Sequence, residues 1–176
     1  MMIPRLTKGN IVLGTLETAD WAIERYTKWI SDENIAHWID KSYRVINFEE
    51  EKKWATTSNN EIRFSIYLIE NQLANLIGTC SISLSSCNTN ATLGVLIGEE
   101  DKCNNGIGAE VVNMLTDFAF NELRVHRCHL IMVEENQRAL KCYQKAGFKV
   151  CGTEHEAFWY HGHYANILHM EKFNKS

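Results

Sequence analysis

The sequence predicts an α/β fold: a mixed, mostly antiparallel sheet with a parallel crossover at its centre and helices on its flanks. Three observations predict it. Arg63 to Ile69, Leu76 to Leu84 and Ala91 to Ile97 are β-rich runs joined by short polar connections, the pattern of an antiparallel meander. The third run passes through a loop with two glycines into a long amphipathic helix and then another strand, the order of a parallel crossover. A further helix then stops at Gly147 and leads into two last strands.

Taken in order, Asn10 to Leu16 carries Ile11, Val12 and Leu13 and reads as the first strand. Thr18 or Asp20 is placed to cap the next element. From Trp21 to Ile30 apolar residues recur at spacings of three and four, which predicts an amphipathic helix. A broken stretch with Trp38 and Tyr43 comes next. Asn47-Phe48-Glu49-Glu50 has the form of a capping box opening a charged helix to about Thr57. Its run Glu49 to Lys53 reads as a solvated face, with the alternative that its carboxylates meet a polyamine. Ser58-Asn59-Asn60 ends that helix, and the meander begins after it, with turns at Glu70-Asn71-Gln72 and Cys87-Asn88-Thr89-Asn90. Gly94, inside the third run, suggests a bulge or a close backbone approach.

The helix after the glycines runs from about Ile107 to Leu123, with Val111, Met114, Leu115, Phe118 and Ala119 as its buried stripe. His126 to Val133 is the crossover strand and Asn136 to Ala146 the next helix. Phe148 to Gly152 and Asn166 to Phe173 are the closing strands. Trp159 and Tyr160 fall in the loop between them, with His161 and His163 at a hairpin tip. No repeat, low-complexity tract or linker interrupts the 176 residues, so residues 1–176 are expected to be a single domain.

Composition narrows the function. A formal charge of −4 leaves no basic footprint, so nucleic acid is not an expected partner. No run of roughly eighteen or more apolar residues occurs, and the first residues lack the apolar core of a signal peptide. No membrane association is therefore expected, and the location expected is cytoplasmic. The six cysteines (Cys80, Cys87, Cys103, Cys128, Cys142, Cys151) have no metal-ligand spacing and read as reduced thiols; no metal is expected.

Three features carry chemistry. In Gly106-x-Gly108, Gly106 permits positive φ and Gly108 a close backbone approach, at a strand-to-helix junction whose N–H groups and dipole favour an anion. Two glycines also suit a plain connection. Asn136 stands at a helix start, where Asn is a good cap. Tyr143, two turns on, lies nearly on the same face, and its phenol, with a pKa of about 10, can protonate a departing thiolate. A core or rim tyrosine is the other reading. Tyr143-Gln144-Lys145-Ala146-Gly147-Phe148 closes that helix and by itself is only a clean C-cap.

Together these resemble the GNAT superfamily of acetyl-CoA-dependent N-acetyltransferases. The resemblance is strongest over about Leu93 to Met170. It rests on Leu93-Gly94-Val95-Leu96-Ile97-Gly98, Gly106-Ile107-Gly108-Ala109-Glu110, Asp117 to Leu123, Val125-His126-Arg127, Asn136-Gln137-Arg138-Ala139, Cys142 to Phe148 and His161-Gly162-His163-Tyr164-Ala165-Asn166. Within the superfamily it looks most like the ribosomal-protein N-terminal and diamine acetyltransferases. The resemblance implies that the backbone of Leu96 and Ile97 pairs with the pantetheine arm of acetyl-CoA. It also implies that Cys103, Asn104, Asn105, Gly106, Ile107, Gly108 and Ala109 form the pyrophosphate cradle. Asn136 then bonds the cofactor, Tyr143 is the general acid on sulfur, and a backbone N–H on the Gly94 strand polarises the carbonyl.

The implied reaction is direct attack by a primary amine, a protein N-terminus or a small molecule, in a ternary complex. A polyamine acetyltransferase and a non-catalytic acyl-CoA-binding regulatory domain are the alternatives, and a homodimer is left open. The sequence departs from the family pattern at three places. Cys103 replaces a Gln or Arg, Thr92 a Glu positioned to help deprotonate the amine, and Asn166 an Asp. Trp21, Trp29 and Trp38 fall in the segment that shapes the acceptor pocket in relatives, and one or two of the tryptophans are expected to line it.

Overall fold

The computed structural model describes residues 2–39, 46–57, 60–85, 89–103 and 105–175. Tyr43, Ser58, Asn59, Cys87, Asn88 and Asn104, each given a place by the sequence, lie outside them. The strands form one eight-stranded sheet in the order β1-β2-β3-β4-β5-β6-β8-β7. The chain divides into two compact units, Met1–Ser81 with Val95–Cys103, and Ile82–Gly94 with Asn104–Ser176.

In the first unit, β1 (Pro4–Lys8) and β2 (Ile11–Thr15) form an antiparallel hairpin, and β2 pairs antiparallel with β3 (Glu61–Glu70). The strand β1 corrects the expectation that Asn10 to Leu16 comes first: Pro4 to Lys8 is mostly exposed and gives no apolar alternation to read. Ile11 to Gly14 are all buried, as a strand covered on both faces should be. Asn71 and Gln72 both take positive φ (50° and 65°) and turn β3 into β4 (Leu73–Leu84), the backbone of a two-residue type I′ hairpin.

Helix α1 (Asp20–Ser31) buries Ala22, Ile23, Tyr26, Trp29 and Ile30; the first four meet Val12, Tyr67 and Leu76 in one core cluster. Its N-cap is Ala19, which offers no side-chain bond, rather than Thr18 or Asp20. Glu17 takes up the nearby amides instead, its Oε1 accepting from Thr18 and Ala19 N–H at 3.2 and 3.3 Å. A four-residue helix, α2 (Glu33–Ala36), interrupts the stretch read as irregular. Helix α3 (Phe48–Thr56) opens on the expected capping box, with Asn47 and Glu50 bonded reciprocally. The solvated-face reading fails at Glu51, which is only 3% exposed. It stands three residues after Phe48 and four before Ala55, both of which pack on the core cluster, so helical spacing turns it inward.

In the second unit, the start of β5 (Asn90–Ile97) pairs parallel with β6 (Arg127–Val133), Ala91 opposite Cys128 and Thr92 opposite His129. Helix α4 (Ile107–Asn121) makes this crossover. Its buried residues are Ile107, Ala109, Val111, Val112, Met114, Leu115, Thr116 and Ala119; Phe118 is only half-buried. Helix α5 (Gln137–Lys145) comes next, and Gly147 at φ 87° ends it. β6 pairs antiparallel with β8 (His163–Phe173), and β8 with β7 (Lys149–Tyr160).

These last strands are far longer than expected. Trp159 and Tyr160 are strand residues paired with Tyr164 and His163, and the turn is His161-Gly162. Most of β7 is exposed residues at the sheet edge, broken by register shifts, so the alternation that betrays a strand is absent. Among the described residues, no helix is long and apolar enough to cross a membrane.

Candidate functional site

The glycine loop behaves as its residues dictate. Gly106 is the N-cap of α4, in the left-handed region at φ 79°, and contributes no side-chain cap. The first-turn N–H groups of Ile107, Gly108 and Ala109 have no partners within a helix, so they are open to an outside acceptor. Asn105 and Gly106 are exposed, and Ile107 and Ala109 are buried. Asn104, expected in the same cradle, lies outside the described residues.

A residue that sequence reasoning missed completes this helix end. The ammonium of Lys145 lies 3.9 Å from where a β-carbon on Gly106 would be. Lys145 is in the last turn of α5, where a basic side chain is ordinarily a complement to the helix dipole, and nothing local points it at Gly106. This helix end therefore has a cation beside it even though Cys103 supplies none. Gly108 is explained by packing: a β-carbon there would sit 3.2 Å from the Cys142 sulfur, so its bareness lets α4 and α5 approach. Desolvation by burial raises the Cys142 thiol above its ordinary pKa, away from thiolate chemistry.

Asn136 is the N-cap of α5, its Oδ1 accepting from Ala139 N–H at 3.0 Å. Its oxygen is thereby committed, which leaves the amide NH₂ as the end able to reach a ligand. Tyr143, half-buried, has its pKa pushed up to about 12, first by desolvation and then by the neighbouring Cys142. The phenol is thus held protonated across neutral pH, the form a proton donor needs, though its match to a thiolate is looser than the ordinary value implies.

The remaining expected residues belong to the first unit. Leu96 and Ile97 are half-buried, and the side chain of Leu96 packs on the Tyr26–Trp29 cluster. A β-carbon on Gly78 would fall 2.2 Å from the Leu96 carbonyl oxygen, so β4 passes close to the Leu96 backbone there. Gly98 N–H donates to Ile77 O at 2.8 Å. Glu99 Oε1 then accepts from Arg25 Nε and Nη2 (3.1 and 2.8 Å) and from Trp29 Nε1 (3.0 Å). Cys103 donates its N–H to Glu100 O at 3.0 Å and its thiol to Glu99 O at 3.6 Å, holding its own turn. Of the tryptophans in this segment, Trp29 is buried and Trp21 is 52% exposed.

Asn166 has a use for being an amide. Its Nδ2 donates to Glu134 Oε2 at 2.7 Å while its Oδ1 accepts from Glu156 N–H at 3.0 Å. An aspartate could serve the second bond but would face Glu134 with like charge.

Several known proteins are similar to this chain. A family model described as an acetyltransferase (GNAT) domain matches residues 11–149, which include every expected site residue. Spermidine N(1)-acetyltransferase of Vibrio cholerae serotype O1 is 26% identical over 138 residues, 77% of this chain and 78% of that enzyme. The crystal structure of spermidine N-acetyltransferase from Vibrio cholerae in complex with CoA and spermine aligns with a TM-score of 0.82 at 22% identity, covering 94% of this chain and 96% of that one. Microcin C7 self immunity acetyltransferase MccE, in complex with acetyl-CoA and AMP, aligns with a TM-score of 0.77 at 16% identity, covering 95% and 94%. At these identities the two structures establish the fold: α/β, with one mixed sheet.

Proposed function

The chain belongs to the GNAT acetyltransferase family and is an N-acetyltransferase, and from that premise we propose that it moves acetyl from acetyl-CoA to a primary amine by direct attack in a ternary complex. The observation that carries the cofactor reading is the N-terminus of α4: a left-handed glycine with no side-chain cap, three first-turn amides and the Lys145 ammonium, which fit a phosphate-bearing group. Asn105 to Ala109 hold the pyrophosphate through backbone N–H groups. The backbone of Leu96 and Ile97 pairs with the pantetheine arm, and the Asn136 amide bonds the cofactor. When bound, acetyl-CoA supplies an activated thioester; the neutral amine forms the new C–N bond as C–S breaks, Tyr143 gives its phenolic proton to the sulfur, and the proton lost by the acylated nitrogen returns to Tyr143 through water. No covalent intermediate on the protein is needed, which agrees with the raised pKa of the Cys142 thiol.

Among acceptors, a polyamine of the spermidine type is favoured over a protein N-terminus. The relatives with spermidine in their names support it. A non-catalytic acyl-CoA-binding role is the weaker reading, because burial keeps the Tyr143 phenol in the protonated form a proton donor needs. The test is thiol release from acetyl-CoA with spermidine, peptides bearing free N-termini and aminoglycosides. Release with spermidine is expected; release with none of these amines would contradict the reading.

A further inference from the structure

The backbone from Leu96 to Glu99 is tied to two elements of the first unit. One is β4: the Leu96 carbonyl oxygen would stand 2.2 Å from a β-carbon on Gly78, and Gly98 N–H donates to Ile77 O at 2.8 Å. Ile97 thus stands between two residues held against β4. The other is α1. A single oxygen of Glu99, Oε1, accepts three N–H groups from that helix: Arg25 Nε at 3.1 Å, Arg25 Nη2 at 2.8 Å and Trp29 Nε1 at 3.0 Å. The Arg25 guanidinium also lies over the Trp29 ring, 5.6 Å from its centroid.

Stability alone does not account for this grip. The Arg25 and Glu99 side chains are 38% and 30% exposed, and an ion pair so open to water stabilises a fold little. Trp29, 4% exposed, is already held by packing in the core cluster. What three donors on one oxygen do set is place. They fix Glu99 against α1, and with it the peptide units of Ile97 and Gly98 that precede it. The ladder between β5 and β6 runs from Asn90 to Thr92, so Leu96 and Ile97 lie beyond it. An extended ligand that adds to a strand is held by main-chain hydrogen bonds, which depend on where the strand's peptide groups stand. A strand already fixed in place also loses less freedom when the ligand arrives.

We propose that Glu99 is a positioning residue for acetyl-CoA: gripped by Arg25 and Trp29, it sets the backbone of Leu96 and Ile97 in the place that receives the pantetheine arm. The proposal rests on the acetyl-transfer reading above, in which that backbone pairs with the arm. Glu99 itself touches neither the cofactor nor the amine, and Arg25 acts through it.

The test compares two ligands of the full chain by calorimetry: acetyl-CoA, and ADP, which keeps a pyrophosphate but has no pantetheine arm. Glu99→Ala should raise the acetyl-CoA Kd about tenfold while the ADP Kd stays within about twofold. A general loosening of the fold would instead weaken both ligands together. Glu99→Gln keeps an oxygen able to accept the same N–H groups, so it should recover most of the loss. Arg25→Met removes two of the three donors and should fall between them. It carries the same comparison should Glu99→Ala fail to fold. No loss in these variants, or a loss that extends to ADP, overturns the positioning assignment and leaves the acetyl-transfer reading standing. Failure of the unaltered protein to bind either ligand overturns both.

Discussion

The indole of Trp29 lies over Gly98 so closely that a β-carbon on residue 98 would fall 2.0 Å from its Cδ2. The same indole donates Nε1–H to Glu99, which also holds Arg25. The backbone just after Leu96 and Ile97 is thus fixed by α1. Gly98→Ala should destabilise the protein by about 1–3 kcal/mol, since Trp29 is buried and cannot swing aside. Thermal melting checks this, and an unchanged Tm would show that the indole has room to move.

Lys145 reaches the N-terminal end of α4, where it adds a full charge to the partial charge of the helix. Lys145→Met should raise the acetyl-CoA Kd by about three- to tenfold and flatten its salt dependence, because an ion pair with phosphate is lost. Calorimetry at two ionic strengths reads both effects.

The Asn166 amide is bonded to the Glu134 carboxylate at 2.7 Å. Asn166→Asp should cost about 1–3 kcal/mol near neutral pH, by removing the donor and setting two carboxylates together. Glu134→Gln added to it should recover part of that loss, and a double-mutant cycle in denaturant measures the coupling.

His129 titrates below the ordinary histidine range. Burial is the main cause, followed by the charges of Arg127 and His169, with Glu171 opposing. Across β6 and β8 its Nε2 lies 3.0 Å from His169 Nδ1, and Glu154 on β7 sits against the far nitrogen of His169. With the folded pKa depressed, the unfolded chain takes up a proton first as pH falls. The stability His129 contributes is therefore present above about pH 6.5 and lost as pH falls below it. Melting temperatures from pH 7.5 to 5 should decline, and His129→Gln should make the decline shallower.

What the sequence made legible was mostly local. The Asn47 capping box, the Asn136 cap, the Gly106 turn and the Gly147 stop each depend on residues within a few positions, and each stands where expected. The parallel crossover was legible because a strand, helix and strand leave little choice of topology. The inward turn of Glu51, the reach of Lys145 to Gly106 and the grip of Arg25 and Trp29 on Glu99 were not. Each is set by how separate elements pack, and a charged residue carries the same local signal whether it faces water or a site. The length of β7 was hidden for a related reason, since an exposed edge strand does not need alternating apolar residues.

Proton donation by Tyr143 is the centre of the account. Its pKa of about 12 keeps the phenol protonated beyond any working pH, so removing the hydroxyl should remove the acid at every pH tested. The direct measurement is acetyl-CoA thiol release by Tyr143→Phe at saturating spermidine, alongside acetyl-CoA affinity by calorimetry. The account predicts kcat lower by about 10²-fold or more with a Kd unchanged within roughly twofold. Equal kcat in the variant and the unaltered protein would contradict it.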